Sequence, residues 1–325
     1  MNRVLHAALQ ELHREGFTDE PIPRRIHLTV RCKRSLSKEL QANIARIRQL
    51  NPDWTLTVYD DQDIAHFLAQ HFGAATLSVY RRLNPRYGAA RADLFRYLCL
   101  HRLGGLYLDA KSTTLVPLSQ WLKAHDRFIL SQWDNGPQGT YSDWGLHKDI
   151  AHIPGGEYQQ WFIAAAAGHP YLRATCERVI RNILSHRPMP AHFGRMGVLR
   201  VTGPIAYSLA IHPILDQHPH RFVDVEGAGW MSYSFFPRSD DHITRLGDTH
   251  YSLLSEPIVQ LSMPGQGAFA LARGTQQHAL RVQQGALRLL VALRRHLPSL
   301  TRLRTRARPP GANIAADSVT PSGPD

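Results

Sequence analysis

The chain has 325 residues, 43% of them hydrophobic, and a formal charge of +12 at pH 7, enough apolar material for one large core or two modest ones. Cys32, Cys99 and Cys176 lie far apart without any CxxC spacing, which argues against both a zinc site and a disulfide framework. The first residues lack the apolar core of a secretion signal and no apolar run approaches membrane-spanning length, so neither secretion nor membrane spanning is expected.

In chain order, residues 1–20 read as a short polar helix and a connector. A strand is expected at Arg25 to Val30, then a helix whose Leu36, Leu40, Ile44 and Ile47 make one apolar stripe, broken at Asn51-Pro52. Trp54, Leu56 and Val58 alternate with Thr55, Thr57 and Tyr59, a half-buried strand pattern, with Trp54 on the packed side. Asp60 or Asp61 follows where a helix N-cap belongs.

The run from Arg91 to Lys111 carries the most chemistry. Leu94, Phe95, Leu98 and Cys99 recur at helical spacing, and Asp93 and Arg96, three apart, point the same way. Gly104 and Gly105 stop the helix. Leu106 to Ala110 then reads as a strand, with Leu106 and Leu108 on one side and Tyr107, Asp109 and Lys111 on the other. A carboxylate after an apolar Gly-Gly-Leu-Tyr-Leu segment is costly to desolvate without a partner or ligand.

Arg127 to Gln132 reads as a further strand and Trp133 to Pro154 as a long loop, of the kind that is functional or mobile. Glu157 to Ala167 reads as a helix ended by Gly168, and Pro170 opens another. His186 to Gly197 is loop-like; a short helix follows Gly203, then Phe222 to Val225 and an aromatic loop, Trp230 to Phe236. Alternating strands and helices predict an α/β fold with a mainly parallel sheet, whose ligands lie at the carboxyl ends of strands.

From Gly265 onward nine arginines face two aspartates, supplying +7 of the net charge. Leu280, Leu287, Leu290 and Leu293 line one helical face, and Arg281, Arg288, Arg295 and Arg302 recur every seven residues on its neighbour. Such a helix suits an anionic membrane surface, or docks on the domain with its arginines in water. The expected boundaries are 1–20, a catalytic domain at 21–264, the basic helix at 265–298 and a disordered tail at 299–325. A nucleic-acid partner is not expected, because the arginines sit in one tail and no nucleic-acid motif is present.

The 91–111 run resembles the sugar-binding region of the DXD-containing glycosyltransferases, a family that includes fungal Golgi initiating α-mannosyltransferases and bacterial capsule and lipopolysaccharide transferases. Asp93, Arg96, Gly104, Gly105, Tyr107 and Asp109 occupy the matching places, and Lys111 stands where the second Asp of the DXD belongs. Ile22 to His27 resembles the family's first strand, Asn51 to Asp61 its second, and Phe162 to Pro170 and Thr202-Gly203-Pro204 later segments, so the ordered match spans roughly residues 21 to 260.

The resemblance implies a GT-A-like, Rossmann-type nucleotide-sugar-binding domain and transfer from a UDP- or GDP-linked sugar to a glycan or lipid-linked acceptor. It further implies retention of anomeric configuration and a role in polysaccharide or lipopolysaccharide biosynthesis, in the cytoplasm or at the inner membrane face. Residue by residue it places Asp109 and Lys111 at the catalytic centre and Asp93, Arg96 and Tyr107 at the donor sugar. His27, Asp60, Arg91 and His250 are expected at the nucleotide and diphosphate, and Trp133, Trp144 and Trp230 are candidates for stacking on the base. The family's usual Mn²⁺ or Mg²⁺ would fall to Asp109, with His250 as helper. Lys111 then either sits on a phosphate in place of part of the metal, or turns to solvent while Asp109 holds a weaker ion. A non-catalytic nucleotide-sugar-binding protein is the alternative reading.

Overall fold

In a computed structural model of the chain, the described residues are 2–14, 16–17, 19–187, 193–236 and 251–260. The described residues all lie in the first of two units, Met1–Ala272; the expected basic helix and tail lie outside the described residues.

Unit one is built on a six-stranded sheet of order β2-β1-β3-β6-β5-β7, comprising β1 (Arg25–Thr29), β2 (Thr55–Tyr59), β3 (Gly105–Leu108), β5 (Phe128–Leu130), β6 (Phe162–Ala165) and β7 (Arg221–Phe222). β1 is parallel to both β2 and β3, and β5 to β7, while β6 runs antiparallel to β3 and β5. Five strands therefore share one direction and β6 alone opposes them. This is the α/β, mainly parallel architecture that a GT-A-like nucleotide-sugar-binding domain requires. A small second sheet pairs β4 (Thr113–Thr114) with β8 (Met231–Ser232).

Alternation along the strands makes two cores. Tyr59, Tyr107, Phe128, Leu130 and Ile163 face the helices α1 (Asn2–Leu12), α3 (Asp61–His71), α4 (Ala74–Arg82), α5 (Gly88–Leu103), α6 (Pro170–Ser185), α7 (Gly194–Val201) and α8 (Pro204–Ile211). Ile26, Leu28, Leu106, Leu108 and Ile129 face α2 (Lys38–Leu50) and the indoles of Trp121, Trp133 and Trp161. Ser37 caps α2 by accepting from the Leu40 amide, and Asp60 with Asp63 forms a reciprocal capping box on α3. Gly105, at φ +103°, is required where β3 meets β1, because a Cβ there would lie 2.5 Å from the Arg25 carbonyl oxygen.

Three expectations need correction. Residues 157–167 hold no helix: Phe162–Ala165 is the antiparallel strand β6, buried along its whole length. A short apolar run covered on both sides has no periodicity to separate helix from strand, and its alanines favour the wrong reading. The 186–197 stretch is not all loop, since α7 begins at Gly194. One stretch, Gly194–Gln217, is apolar and long enough to cross a bilayer, but it is two-thirds buried and divides into α7 and α8 around Gly203.

Candidate active site

The carboxyl ends of β1, β2 and β3 form one rim, and Asp109 lies on it one residue past β3. Its amide donates to the Trp161 carbonyl (2.8 Å), which ties the strand end to β6. Its side chain is 25% exposed and is held from behind by Arg96, Nη2 to Oδ1 3.1 Å.

Arg96 organises the wall. Only 5% exposed, it also meets Asp93 Oδ1 at 3.1 Å, donates to the Gln160 carbonyl at 2.5 Å, and stacks its guanidinium 4.4 Å from the Tyr107 ring centroid. Burial works against its charge, but Asp109, Tyr107 and Asp93 outweigh that and push its pKa up. Asp93 also accepts from Thr202 Oγ1 (2.8 Å) and Gln160 Nε2 (3.2 Å). Burial raises its carboxyl to about 6 despite Arg96 and Thr202. Tyr97 fixes both helpers, donating to the Gln160 side chain and the Thr202 carbonyl. Tyr107 is fully buried, its hydroxyl 2.7 Å from Thr29 Oγ1 at the end of β1.

The structure thus brings Asp93, Arg96, Tyr107 and Asp109 together as expected, but in depth. Asp109 is the accessible end; Asp93 and Arg96 stand behind it with protein partners on their polar atoms. Gln160 and Thr202 complete the network and went unassigned in the sequence, although Thr202 lies in a segment that the resemblance had picked out.

Lys111 departs from the expected alternation. β3 ends at Leu108, and residues 109–112 form a turn closed by the Ser112 amide on the Asp109 carbonyl (2.8 Å). The lysine consequently leaves the Tyr107 side of the sheet and reaches Tyr233, bonding its hydroxyl with Nζ 3.7 Å from the ring centroid. Tyr233 belongs to a cluster with Trp133 (5.1 Å), Trp161 (5.9 Å) and Trp144 (6.0 Å).

Of the residues expected at the nucleotide, Asp60 lies one residue past β2 on the same rim, whereas His27 sits inside the sheet. His27 is 2% exposed in mid-strand, with Nε2 on the Gly104 carbonyl (3.0 Å) and Nδ1 near the Tyr59 hydroxyl (3.3 Å). Burial lowers its pKa to about 4, partly offset by the Gly104 bond, so it is a neutral core residue and not a ligand. The Asp60 carboxylate is engaged in capping α3, and Arg91 is paired with Asp61 (2.7 Å) over the Tyr80 ring. Trp133 is 9% exposed and donates to Glu157, Trp230 is half-buried and stacks on Trp121, and Trp144, 37% exposed, is the most exposed indole of the three. His250 lies outside the described residues.

A divalent ion does not fit the described donor set. Asp109 already faces a guanidinium, an ammonium occupies the next acid place, and no three His, Cys, Asp or Glu side chains gather into a metal site among the described residues.

An acid held by a buried arginine on the strand rim of an α/β domain lies where open α/β sheets bind their ligands. Residues 37–129 match the family described as "Glycosyltransferase sugar-binding region containing DXD motif". It is similar to the initiation-specific alpha-1,6-mannosyltransferase of Schizosaccharomyces pombe, 24% identical over 230 residues, covering 67% of this chain and 51% of the relative. It is also similar to inositol phosphoceramide mannosyltransferase 3 of the same yeast, 27% identical over 191 residues, covering 58% of this chain and 44% of that one. The chain spans about half the length of these curated relatives. Among solved structures, the PaToxG glycosyltransferase aligns with 83% of this chain and 90% of its own at 15% identity, TM-score 0.42.

Proposed function

We propose that the chain transfers a sugar from a nucleotide-diphosphate donor to a hydroxyl of a glycan or lipid-linked acceptor, with Asp109 at the donor sugar. The observation that carries this reading is the Asp109 carboxylate, half-buried but accessible on the strand rim and fixed by a buried arginine. Asp93, Arg96, Gln160 and Thr202 act as positioning residues, presetting Asp109 so that no side chain must reorganise on binding. Transfer breaks the bond from the anomeric carbon to the diphosphate oxygen and forms one to the acceptor oxygen, whose proton leaves with the diphosphate. Retention of configuration is carried over from the family resemblance as part of this reading. Relatives named for mannose transfer make nucleotide-linked mannose the first donor to test, and capsule or lipopolysaccharide precursors are the first acceptors. The +7 segment from Gly265 would bring the chain to the anionic inner face of a membrane, and its removal should abolish binding to anionic liposomes.

The second reading, a binding protein without transfer, is favoured by one observation, the loss of the second acid at Lys111. Screening UDP- and GDP-sugars for thermal stabilisation and slow hydrolysis separates the two. Stabilisation with hydrolysis supports the transferase, stabilisation alone the binding protein, and neither result contradicts both.

A further inference from the structure

The departure at Lys111 lies in the turn that follows Asp109 at the strand rim, and its surroundings hold it in place. The turn is stapled to the 233–235 segment by two bonds: the Phe235 amide donates to the Lys111 carbonyl (2.9 Å), and Ser112 Oγ donates to the Tyr233 carbonyl (2.7 Å). Tyr233 is itself anchored, its amide donating to Glu226 Oε1 (2.8 Å) and its ring meeting Trp133 at a right angle. The ammonium resting on this ring is therefore preset, with rotamer entropy already spent in folding. A lysine at a phosphate acts as a point charge with three donors. Beside it, Asp109 is compensated by Arg96, leaving a donor set that suits an anion better than a hard cation.

We infer that Lys111, positioned by Tyr233, supplies the fixed positive charge for the donor diphosphate, so that nucleoside diphosphate binding in this chain is independent of a divalent ion. The inference rests on the nucleotide-sugar reading above.

The test titrates UDP and GDP calorimetrically into the full chain in EDTA and again with Mn²⁺, for wild type, Lys111→Ala, Lys111→Met and Tyr233→Phe. Mn²⁺ alone is titrated by electron paramagnetic resonance. Wild type is expected to bind a diphosphate in EDTA with an affinity that Mn²⁺ changes by less than about threefold. Both lysine variants should weaken that binding about tenfold or more, as loss of a charge-assisted bond requires, with unfolding midpoints lowered by no more than a few degrees, since the part-buried side chain loses one ring contact and one hydrogen bond. Tyr233→Phe should weaken it less. Binding that requires Mn²⁺, lysine variants equal to wild type in EDTA, or stoichiometric Mn²⁺ binding by the chain alone would each overturn the role of Lys111. Absence of diphosphate binding in every medium would overturn the nucleotide-sugar reading along with it.

Discussion

The two sides of the β3 strand end are built on different principles. On the α5 side, Asp93, Arg96 and Asp109 form an alternating chain of charges in which the two inner members are almost fully buried and each has a protein partner. On the other side a single ammonium lies on an aromatic face brought in from more than a hundred residues away. The first wall is local in sequence; the second is assembled by tertiary packing. The contrast teaches that charges beside one strand end can be set by local sequence on one side and by tertiary packing on the other.

Breaking the first wall should have the largest effect. Arg96→Ala would leave two acids without their shared partner, and removal of one member of a buried ion pair costs on the order of 3–5 kcal/mol. Urea unfolding should record that loss, and donor hydrolysis should vanish with it. Wild-type stability would mean that water satisfies the acids.

Asp109→Asn comes next, because it keeps the shape and removes the charge at the accessible end. Transfer or donor hydrolysis should fall about a hundredfold, the size of losing one charged interaction in a transition state, while the unfolding midpoint stays within a few degrees. Activity within a few-fold of wild type would take Asp109 out of the site.

The interior behind this wall predicts a pH response. His27 and His101 are buried with pKa values lowered from the ordinary 6.5 to about 4, chiefly by desolvation. As pH falls below 6.5 the unfolded chain takes up these protons first, so stability present above 6.5 is lost toward pH 4, about 3 kcal/mol per histidine at 1.36 kcal/mol per unit. Asp93 opposes this: raised from 3.8 to about 6, it contributes stability below 3.8 that is lost as pH rises through 6. Asp93→Asn should therefore steepen the acid decline of the thermal midpoint between pH 6.5 and 4, and an unchanged slope would place the Asp93 titration elsewhere.

The smallest expected effect is that of Trp144→Ala. Its indole, 37% exposed at the edge of the aromatic cluster, contributes little to the core, so unfolding free energy should change by no more than about 1 kcal/mol. A larger loss would show that the 133–157 loop depends on it.

The first wall was readable in the sequence because helix and strand periods place Asp93, Arg96, Tyr107 and Asp109 within a run of seventeen residues. Their depth was not, since burial of Asp93 depends on Thr202 and Gln160, which no local pattern joins to it. The position of Lys111 was misjudged for a related reason: strand alternation was carried past Leu108, although a turn begins at Asp109 and only the Tyr233 loop shows where the lysine goes. His27 misled through its place in a family-like strand, because mid-strand and strand end differ by two residues and only the β1–β3 register separates them.

The most direct test of the central claim is calorimetric titration of GDP-mannose and UDP-glucose, each beside its free nucleoside diphosphate, into wild type and Asp109→Asn. The account predicts that one sugar nucleotide binds wild type more tightly than its diphosphate, and that Asp109→Asn loses this increment, about tenfold, while keeping the affinity for the diphosphate. Equal affinities for sugar nucleotide and diphosphate in both proteins would contradict the placement of Asp109 at the donor sugar.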